Sequence, residues 1–375
     1  MYCSPSERPW RRFLLVCVVC AGIVPQTTTG LAVQGRSRSS RRRGQATEGQ
    51  SGTCRVAIAT FPTSGQVNYI RLPHAAWMPL VTSGLSQPQA LAIDDRASRL
   101  YIGDVGTSQL WSYDLDIVPT SCAVSLQGSG VQLLSDITVY DMALNSKGDL
   151  YFSGLQSSGT TSSRAIYRLS SADINAHLKS GTTLTPTTLW TATNTGSPAA
   201  LSTPEGIYVD SFSIYWSNSV AGSTEGSIVR ATLVPPGTNP QDDVHPLADN
   251  IDDATDVVLV PGFTVYASPG AIYGIPGDKV GTSCNQSSSC VTITEDVEGV
   301  TSMVWMGDNK VLIADSVAGQ LLSLVVGSLG HHAPTHVADA AGIHSVDVLM
   351  RSSSIHMHPH AVLSCLVTLA IVFFH

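Results

Sequence analysis

Charged residues are scarce in this 375-residue chain, at 13%, and basic residues are especially few in its body. Residues 51–350 contain 11 Lys and Arg against 26 Asp and Glu, a net charge of −15. A surface of that sign repels phosphate backbones instead of displacing their counterions. The composition therefore excludes nucleic acid as a partner of the body. With 43% apolar residues, the chain is nevertheless too apolar to be a disordered polymer.

Familiar catalytic motifs are also missing. The sequence has no G-x-S-x-G, no H-E-x-x-H, no phosphate-binding loop and no cysteine pair with zinc spacing. The histidines of the body stand in no nucleophile context, and we interpret each as a loop or surface residue. No motif therefore predicts an enzyme.

Apolar runs long enough to cross a bilayer as a helix, about 20 residues, are absent as well. The 12-residue apolar run 13–24 follows Arg8, Arg11 and Arg12, which is the layout of a secretory signal peptide. We predict a signal peptide over residues 1–30, with a retained signal anchor as the alternative. Residues 31–50 are rich in Arg, Ser and Gly and predict a flexible basic arm.

The C-terminal segment has the features of a glycolipid (GPI) attachment signal. A 14-residue apolar tail, 361–374, follows a short polar spacer and the small residues at 352–354. We predict that residues 351–375 direct lipid attachment at Ser352 or Ser353, with a retained tail anchor as the alternative. Together the two ends predict passage through the secretory pathway to the outer leaflet of the plasma membrane.

Four cysteines remain in the body, Cys54, Cys122, Cys284 and Cys290, and an even number suits an oxidising compartment. Three pairings are open. Proximity favours Cys284 with Cys290, which leaves Cys54 with Cys122. The one N-x-S/T acceptor in the sequence is Asn285, which lies between Cys284 and Cys290 and is a candidate glycosylation site.

A repeat organises the body. It consists of an apolar strand that ends in a polar residue, a short gap, an aromatic-rich strand and a third alternating strand. The aromatic-rich strands begin near residues 56, 100, 149, 214, 264 and 311. One copy is split, because 342–349 matches the first strand of the pattern and residues 56–61 and 66–72 match the next two. We predict an all-β fold over residues 51–350: a six-bladed β-propeller with four-stranded blades, closed by N- and C-terminal strands in one shared blade. A short helix is predicted over 171–179.

Two copies of the repeat carry a family resemblance. The third copy, with Pro204-Glu205-Gly206-Ile207-Tyr208-Val209-Asp210 and then Ile214-Tyr215-Trp216-Ser217-Asn218, resembles the YWTD/NHL superfamily of six-bladed propellers. The second copy is similar to the yellow/royal-jelly propellers. The resemblance covers roughly residues 54–350. Other copies depart from it, because the strand 100–104 lacks the Trp and the strand 311–315 lacks both aromatic residues.

The residues that precede the predicted opening strands are Gln87, Asp136, Glu205, Asp253, Glu298 and Asp339, and five of these six are acidic. Carboxylates that converge on a channel mouth would gain from a hard cation with oxygen ligands, so we predict Ca²⁺ at Asp136, Glu205 and Asp253. Similarity to propeller hydrolases of the gluconolactonase and paraoxonase type implies calcium and substrate in this channel, with Glu205, Asn145 or Asp253 involved. The alternative interpretation is that these acids are solvated turn residues on the blade rim.

The predicted function is a membrane-tethered extracellular module that binds an unidentified protein or glycan. A calcium-dependent hydrolase is the alternative. The binding function predicts an exposed apolar or aromatic patch on one face of the disc, around Trp77 or Trp190.

Overall fold

A computed structural model describes residues 54–73, 76–156, 164–191, 201–220, 226–234, 243–277, 282–283 and 290–351. These residues form 25 β-strands, one short 3-10 helix (Pro62–Ser64) and one α-helix. The predicted signal peptide, basic arm and lipid-attachment segment, with Cys284 and Asn285, lie outside the described residues.

The strands form six sheets, each built on four antiparallel strands, which confirms the prediction of six blades. Blades 1 to 3 are written from the innermost strand outwards. Blade 1 consists of β25 (Val346–Arg351), β1 (Cys54–Phe61), β2 (Gln66–Arg71) and β3 (Met78–Val81). Blade 2 consists of β4 (Pro88–Asp94), β5 (Arg99–Asp104), β6 (Gln109–Val118) and β7 (Ala123–Leu134). Blade 3 consists of β8 (Ile137–Leu144), β9 (Leu150–Gln156), β10 (Ala165–Leu169) and β11 (Thr187–Trp190).

Blades 4 to 6 follow the same order. Blade 4 consists of β12 (Pro204–Val209), β13 (Ser213–Asn218), β14 (Gly226–Thr232) and β15 (His245–Ile251), with the two-residue β19 (Thr282–Ser283) parallel to β15. Blade 5 consists of β16 (Asp256–Val260), β17 (Phe263–Ser268), β18 (Ala271–Pro276) and β20 (Val291–Thr294). Blade 6 consists of β21 (Val300–Gly307), β22 (Lys310–Asp315), β23 (Gln320–Val325) and β24 (Thr335–Asp339).

Blade 1 closes the ring from both ends of the propeller sequence. Strand β25 pairs antiparallel with β1, with Cys54 opposite Arg351 and Ala59 opposite Val346. The split copy of the repeat is therefore the shared blade that the sequence predicted. This pairing gives each terminal strand of the propeller a hydrogen-bonded neighbour in the sheet.

The six inner strands, β25, β4, β8, β12, β16 and β21, each contact the inner strand of the next blade around a central channel. We call the face at which these strands begin the upper face. The face with the turns from each inner strand to the second strand is the lower face.

The polar residue that ends the second strand in several copies has a local structural role. The Asp104 carboxylate accepts backbone N–H bonds from Ser86 and Gln87, at 2.8 and 2.7 Å, in the loop that enters β4. The Asp315 carboxylate accepts the corresponding bonds from Glu298 and Gly299, at 2.8 and 3.0 Å, before β21. These side chains satisfy loop donors that have no sheet partner, and so fix where each inner strand begins.

The predicted helix is confirmed as α1 (Ser171–Ser180), between β10 and β11. The side chain of Ser170 caps it by accepting a bond from the Asp173 backbone N–H, and Gly181 ends it with a positive φ of 66°. Within the described part of the chain, no helix is long and apolar enough to cross a membrane.

A disulfide joins Cys54 in β1 to Cys122, in the turn between β6 and β7. It covalently links blade 1 to blade 2, and it is one of the three pairings that the sequence allowed. Cys290 is also disulfide-bonded.

Candidate functional site

The inner strands enclose a cavity of about 220 Å³ in the central channel. Three carboxylates line it: Asp141 in β8, Asp256 in β16 and Asp347 in β25. These strands belong to alternate blades, so the three acids have approximate threefold order around the channel. We call Asp141, Asp256 and Asp347 the carboxylate belt.

Each member of the belt accepts a hydrogen bond from the backbone of the following blade. The carboxylate of Asp141 accepts from the Ile207 N–H at 2.8 Å, and that of Asp347 accepts from the Ile93 N–H at 2.8 Å. The carboxylate of Asp256 accepts from the Met303 N–H in the same manner. The belt therefore connects blade 3 to 4, blade 5 to 6 and blade 1 to 2 from inside the channel.

Burial changes the proton affinity of all three acids. It raises the pKa of Asp256 to about 7 and that of Asp347 to about 7. Burial also raises the pKa of Asp141 well above its usual range, and the charges of Asp256 and Glu205 raise it further. A carboxyl group that keeps its proton near neutral pH can donate a hydrogen bond as well as accept one.

Sequence analysis missed the belt. A signal was present, because an Asp interrupts an apolar inner strand at matching places in alternate copies: YDMAL, TDVVL and SVDVL. A carboxylate in such a strand has to be buried at the channel, where an apolar side chain would be expected.

A second cavity, of about 70 Å³, opens at the upper mouth of the channel. We call it the upper-mouth cavity. Its lining includes Tyr140, Asp141, Glu205 and His344. The guanidinium of Arg164 forms an ion pair with Glu205 and lies 3.8 Å from the centre of the Tyr140 ring. One arginine therefore fixes both an acid and an aromatic side chain at this mouth.

Two titratable groups of the upper-mouth cavity have pKa values shifted from their usual range. Burial raises the pKa of Glu205, against the effect of Arg164, and the charge of Asp253 adds to the rise. Burial lowers the pKa of His344 to about 4. The Nδ1 atom of His344 is buried without a hydrogen-bond partner among the described residues. His344 lies in a loop, as we expected for the body histidines, but its side chain lines the upper-mouth cavity.

The predicted calcium ligands do not assemble at one point. Glu205 pairs with Arg164, Asp253 accepts a bond from the Ser219 hydroxyl, and Asp136 is exposed and bonded to Ser135. The described residues contain no group of three His, Cys, Asp or Glu side chains placed to share a metal ion. The arrangement therefore does not fit a calcium ion held by these side chains, and calcium binding stays a prediction.

The other acids of the predicted ring are also spread out. Glu298 is exposed, and Asp339 ends the outer strand β24, where His336 pairs with it at 3.0 Å. Asn145, which the hydrolase resemblance implied beside Glu205, lies instead in the turn after β8 on the lower face, where its Oδ1 accepts the backbone N–H groups of Lys147 and Asp149. Glu205 and Asn145 are thus at opposite ends of the channel.

An aromatic groove of about 560 Å³ lies on the lower face, across blades 4, 5 and 6. Its lining includes Tyr208, Tyr215, Arg230 and Trp305, and two of these, Tyr208 and Trp305, also line the central cavity. The turn between Tyr208 and Tyr215 carries Phe212, whose side chain is 80% exposed. We call the cavity lined by Tyr208, Tyr215, Arg230 and Trp305 the aromatic groove; Phe212 is not part of its lining.

The expectation of an aromatic patch around Trp77 or Trp190 was wrong in its location. Trp190 is fully buried, with its ring 6.4 Å from that of Trp216. Trp77 packs edge-on against Phe61 and donates its indole N–H to the Asp339 carbonyl. The periodicity of the sequence could not separate the buried Trp190 and the half-buried Trp77 from the exposed Phe212, because all three lie in or near strands.

Comparisons with known proteins show the fold. No protein-family model matches the sequence, and no curated protein matches it. A chain of the nidogen/laminin complex superposes with a TM-score of 0.54 at 11% identity, covering 80% of this chain and 98% of that one. The periplasmic gluconolactonase PpgL of Pseudomonas aeruginosa gives 0.48 at 11% identity, covering 80% and 99%. At such identities the likeness extends to architecture alone. The chain is a six-bladed β-propeller, as the resemblance of its sequence to the YWTD/NHL propellers implied.

Proposed function

We propose that this chain is a membrane-tethered, extracellular interaction module that holds a protein or glycan partner on the lower face of its propeller. The observation that carries the proposal is the exposed Phe212, in the turn that joins the two strands from which Tyr208 and Tyr215 line the aromatic groove. A phenylalanine that is 80% exposed in a tight turn contributes nothing to the core, yet it costs solubility. A partner that covers it would account for its position.

The composition of the aromatic groove suits recognition. Tyrosine, tryptophan and arginine are the residues that most often dominate binding energy at interfaces. Tyr208, Tyr215, Trp305 and Arg230 occupy one concave surface. Its volume of about 560 Å³ is within the range of roughly 300–1,000 Å³ that is typical of binding pockets. Each of these side chains is carried by a strand that is paired within its blade, so little ordering is needed when a partner binds.

The proposed location rests on the two ends of the sequence and on the cysteines. The signal-peptide layout at residues 1–30 and the tail at 361–374 support export followed by lipid attachment. The disulfide between Cys54 and Cys122 is typical of a chain that folds in an oxidising compartment.

The lower face can be tested with two exposed apolar residues on opposite faces. Phe212→Asp places a charge beside the aromatic groove, and Val317→Asp places one in the turn between β22 and β23 on the upper face, where Val317 is 69% exposed. Cells that display the full chain are applied to arrays of extracellular-matrix proteins and glycans. We expect adhesion to at least one class, a loss of tenfold or more with Phe212→Asp, and wild-type adhesion with Val317→Asp.

The same comparison can overturn the proposal. Equal adhesion by both variants would remove the lower face as the binding surface. The upper-mouth cavity favours a second function, a hydrolase, because Glu205 and His344 both line it. Calcium-dependent turnover of lactones or esters that Glu205→Gln abolishes, together with no adhesion, would favour that function instead.

A further inference from the structure

A second groove, separate from the aromatic groove, lies on the lower face where blade 6 meets blade 1. Its volume is about 420 Å³. The floor and walls are largely apolar, with side chains from both blades: Leu72, Pro73, Met306, Leu312, Val325 and Val337. Val325 is 48% exposed although it points into a concave surface, so part of this apolar area faces solvent.

The polar residues of this groove are basic or uncharged. Arg55, Lys310 and His336 line it, together with the hydroxyl-bearing Ser323 and Thr335. None of the described residues that line it is acidic. Two acids lie next to this rim without lining it: Asp308 pairs with Arg55 and also interacts with the charge of Lys310, and Asp339 pairs with His336. We call this feature the basic-rimmed groove.

A basic rim is unusual on this protein. Residues 51–350 carry a net charge of −15, and two of their 11 Lys and Arg residues line this one groove. The field of the rest of the molecule repels anions, so an anion is attracted only where basic side chains gather. Because these basic side chains lie over an apolar floor, they favour an anion that also has an apolar body. An uncharged partner would make no electrostatic contact with the Lys310 ammonium group. A fully polar anion would not bury the apolar floor of the groove.

We propose that the basic-rimmed groove binds an anionic amphiphile, a long-chain carboxylate whose carboxyl group meets Lys310 beside the Arg55–Asp308 ion pair while its acyl chain covers Leu72, Val325 and Val337. The volume is within the range typical of small-molecule sites. A flexible alkyl chain can follow a shallow apolar surface, and each methylene that it buries adds to affinity. This site is distinct from the aromatic groove and goes beyond the proposed interaction function.

The probe for this site is dodecanoate, and dodecanol is the uncharged molecule of matching length. Isothermal titration of the purified full chain is performed below the micelle concentration of each probe. We expect saturable binding of one dodecanoate, about tenfold weaker or undetectable binding of dodecanol, and a loss of several-fold per methylene removed, which octanoate reports.

Matched variants locate the binding. Lys310 is exposed, so Lys310→Met keeps its apolar stem and removes its charge, and Lys147→Met does the same in the exposed turn before β9. We expect Lys310→Met to weaken dodecanoate binding about tenfold and Lys147→Met to leave it unchanged. Val337→Asp, which places a carboxylate in the groove, should abolish binding.

Three results would overturn the proposal. Equal affinity for dodecanoate and dodecanol would show that the rim does not recognise a charge. Binding that survives both Lys310→Met and Val337→Asp would belong to another part of the chain. Binding of an acidic amphipathic peptide that dodecanoate cannot displace would assign the groove to a protein partner.

Discussion

At the scale of single residues, the carboxylate belt consists of ionisable side chains that are buried, which is uncommon because burial removes their contact with water. Asp256 is 4% exposed, yet its carboxylate satisfies backbone donors in its own strand and in the next blade. Because burial raises the pKa of Asp256 and Asp347 to about 7, these groups bind protons more tightly in the folded chain than in the unfolded chain. Their protonation is therefore linked to the stability of the fold.

The belt predicts that stability falls as the pH rises from about 4 to 7. In that interval the unfolded carboxyl groups have lost their protons while the folded ones retain theirs, so each group lowers the free energy of unfolding by up to about 1.4 kcal/mol per pH unit. Asp256→Asn should remove its share of this slope. Denaturant unfolding from pH 4.5 to 8 measures the slopes. Identical slopes in wild type and Asp256→Asn would show that Asp256 is ionised in both states.

At the scale of strands, inner-strand packing depends on one glycine. An ideal Cβ at Gly206 in β12 would lie 2.5 Å from the Cα of Asp256 in β16. Two inner strands therefore approach each other closely beside the belt, and only a residue without a side chain permits it. The YWTD-like motif that contains Gly206 predicted the strand correctly, but it did not show that the glycine touches the next blade.

Gly206→Ala should push β12 and β16 apart and lower the free energy of unfolding by about 1–3 kcal/mol. Gly277→Ala is the matched control, because the nearest atom to its added Cβ would lie at 3.4 Å and its φ is not positive. We expect the control to change stability by less than about 0.5 kcal/mol. Urea unfolding followed by tryptophan fluorescence compares the two variants. Equal stability would mean that the inner strands can separate at no cost.

The strands themselves could largely be predicted from the sequence. Alternating apolar and polar residues have the period of a strand, and the copies recur at blade-sized spacing, so even the split blade of β25 with β1 was visible. The candidate sites could not be predicted in the same way. His344 and Glu205 line one cavity although 139 positions separate them in the sequence. No local sequence pattern predicts that two such distant residues lie together.

At the scale of the whole molecule, the two ends of the propeller meet. Cys54 and Arg351 are paired in adjacent strands, so the predicted lipid attachment at Ser352 or Ser353 immediately follows a strand of blade 1. Inner strand β25 runs towards the lower face and ends there. An anchor at this point would place the tether on the face that carries both grooves.

Lipid anchoring predicts that phosphatidylinositol-specific phospholipase releases the chain from the surface of intact cells. Attachment requires small residues, so Ser352→Leu combined with Ser353→Leu should prevent surface display, whereas Val317→Asp should leave both display and release unchanged. Flow cytometry before and after enzyme treatment measures both effects. Full retention of the wild-type chain after treatment would instead indicate a retained tail anchor.

The sequence alone determined the architecture of this protein, because strand period, repeat spacing and the split copy are local properties of the chain. Only the tertiary structure determined which residues form the candidate sites. Which aspartates enter the channel, which aromatic side chain stays exposed and where basic residues gather over apolar ones depend on strand register and on contacts between blades. Such contacts join residues far apart in the sequence, so they exist only once the ring is closed.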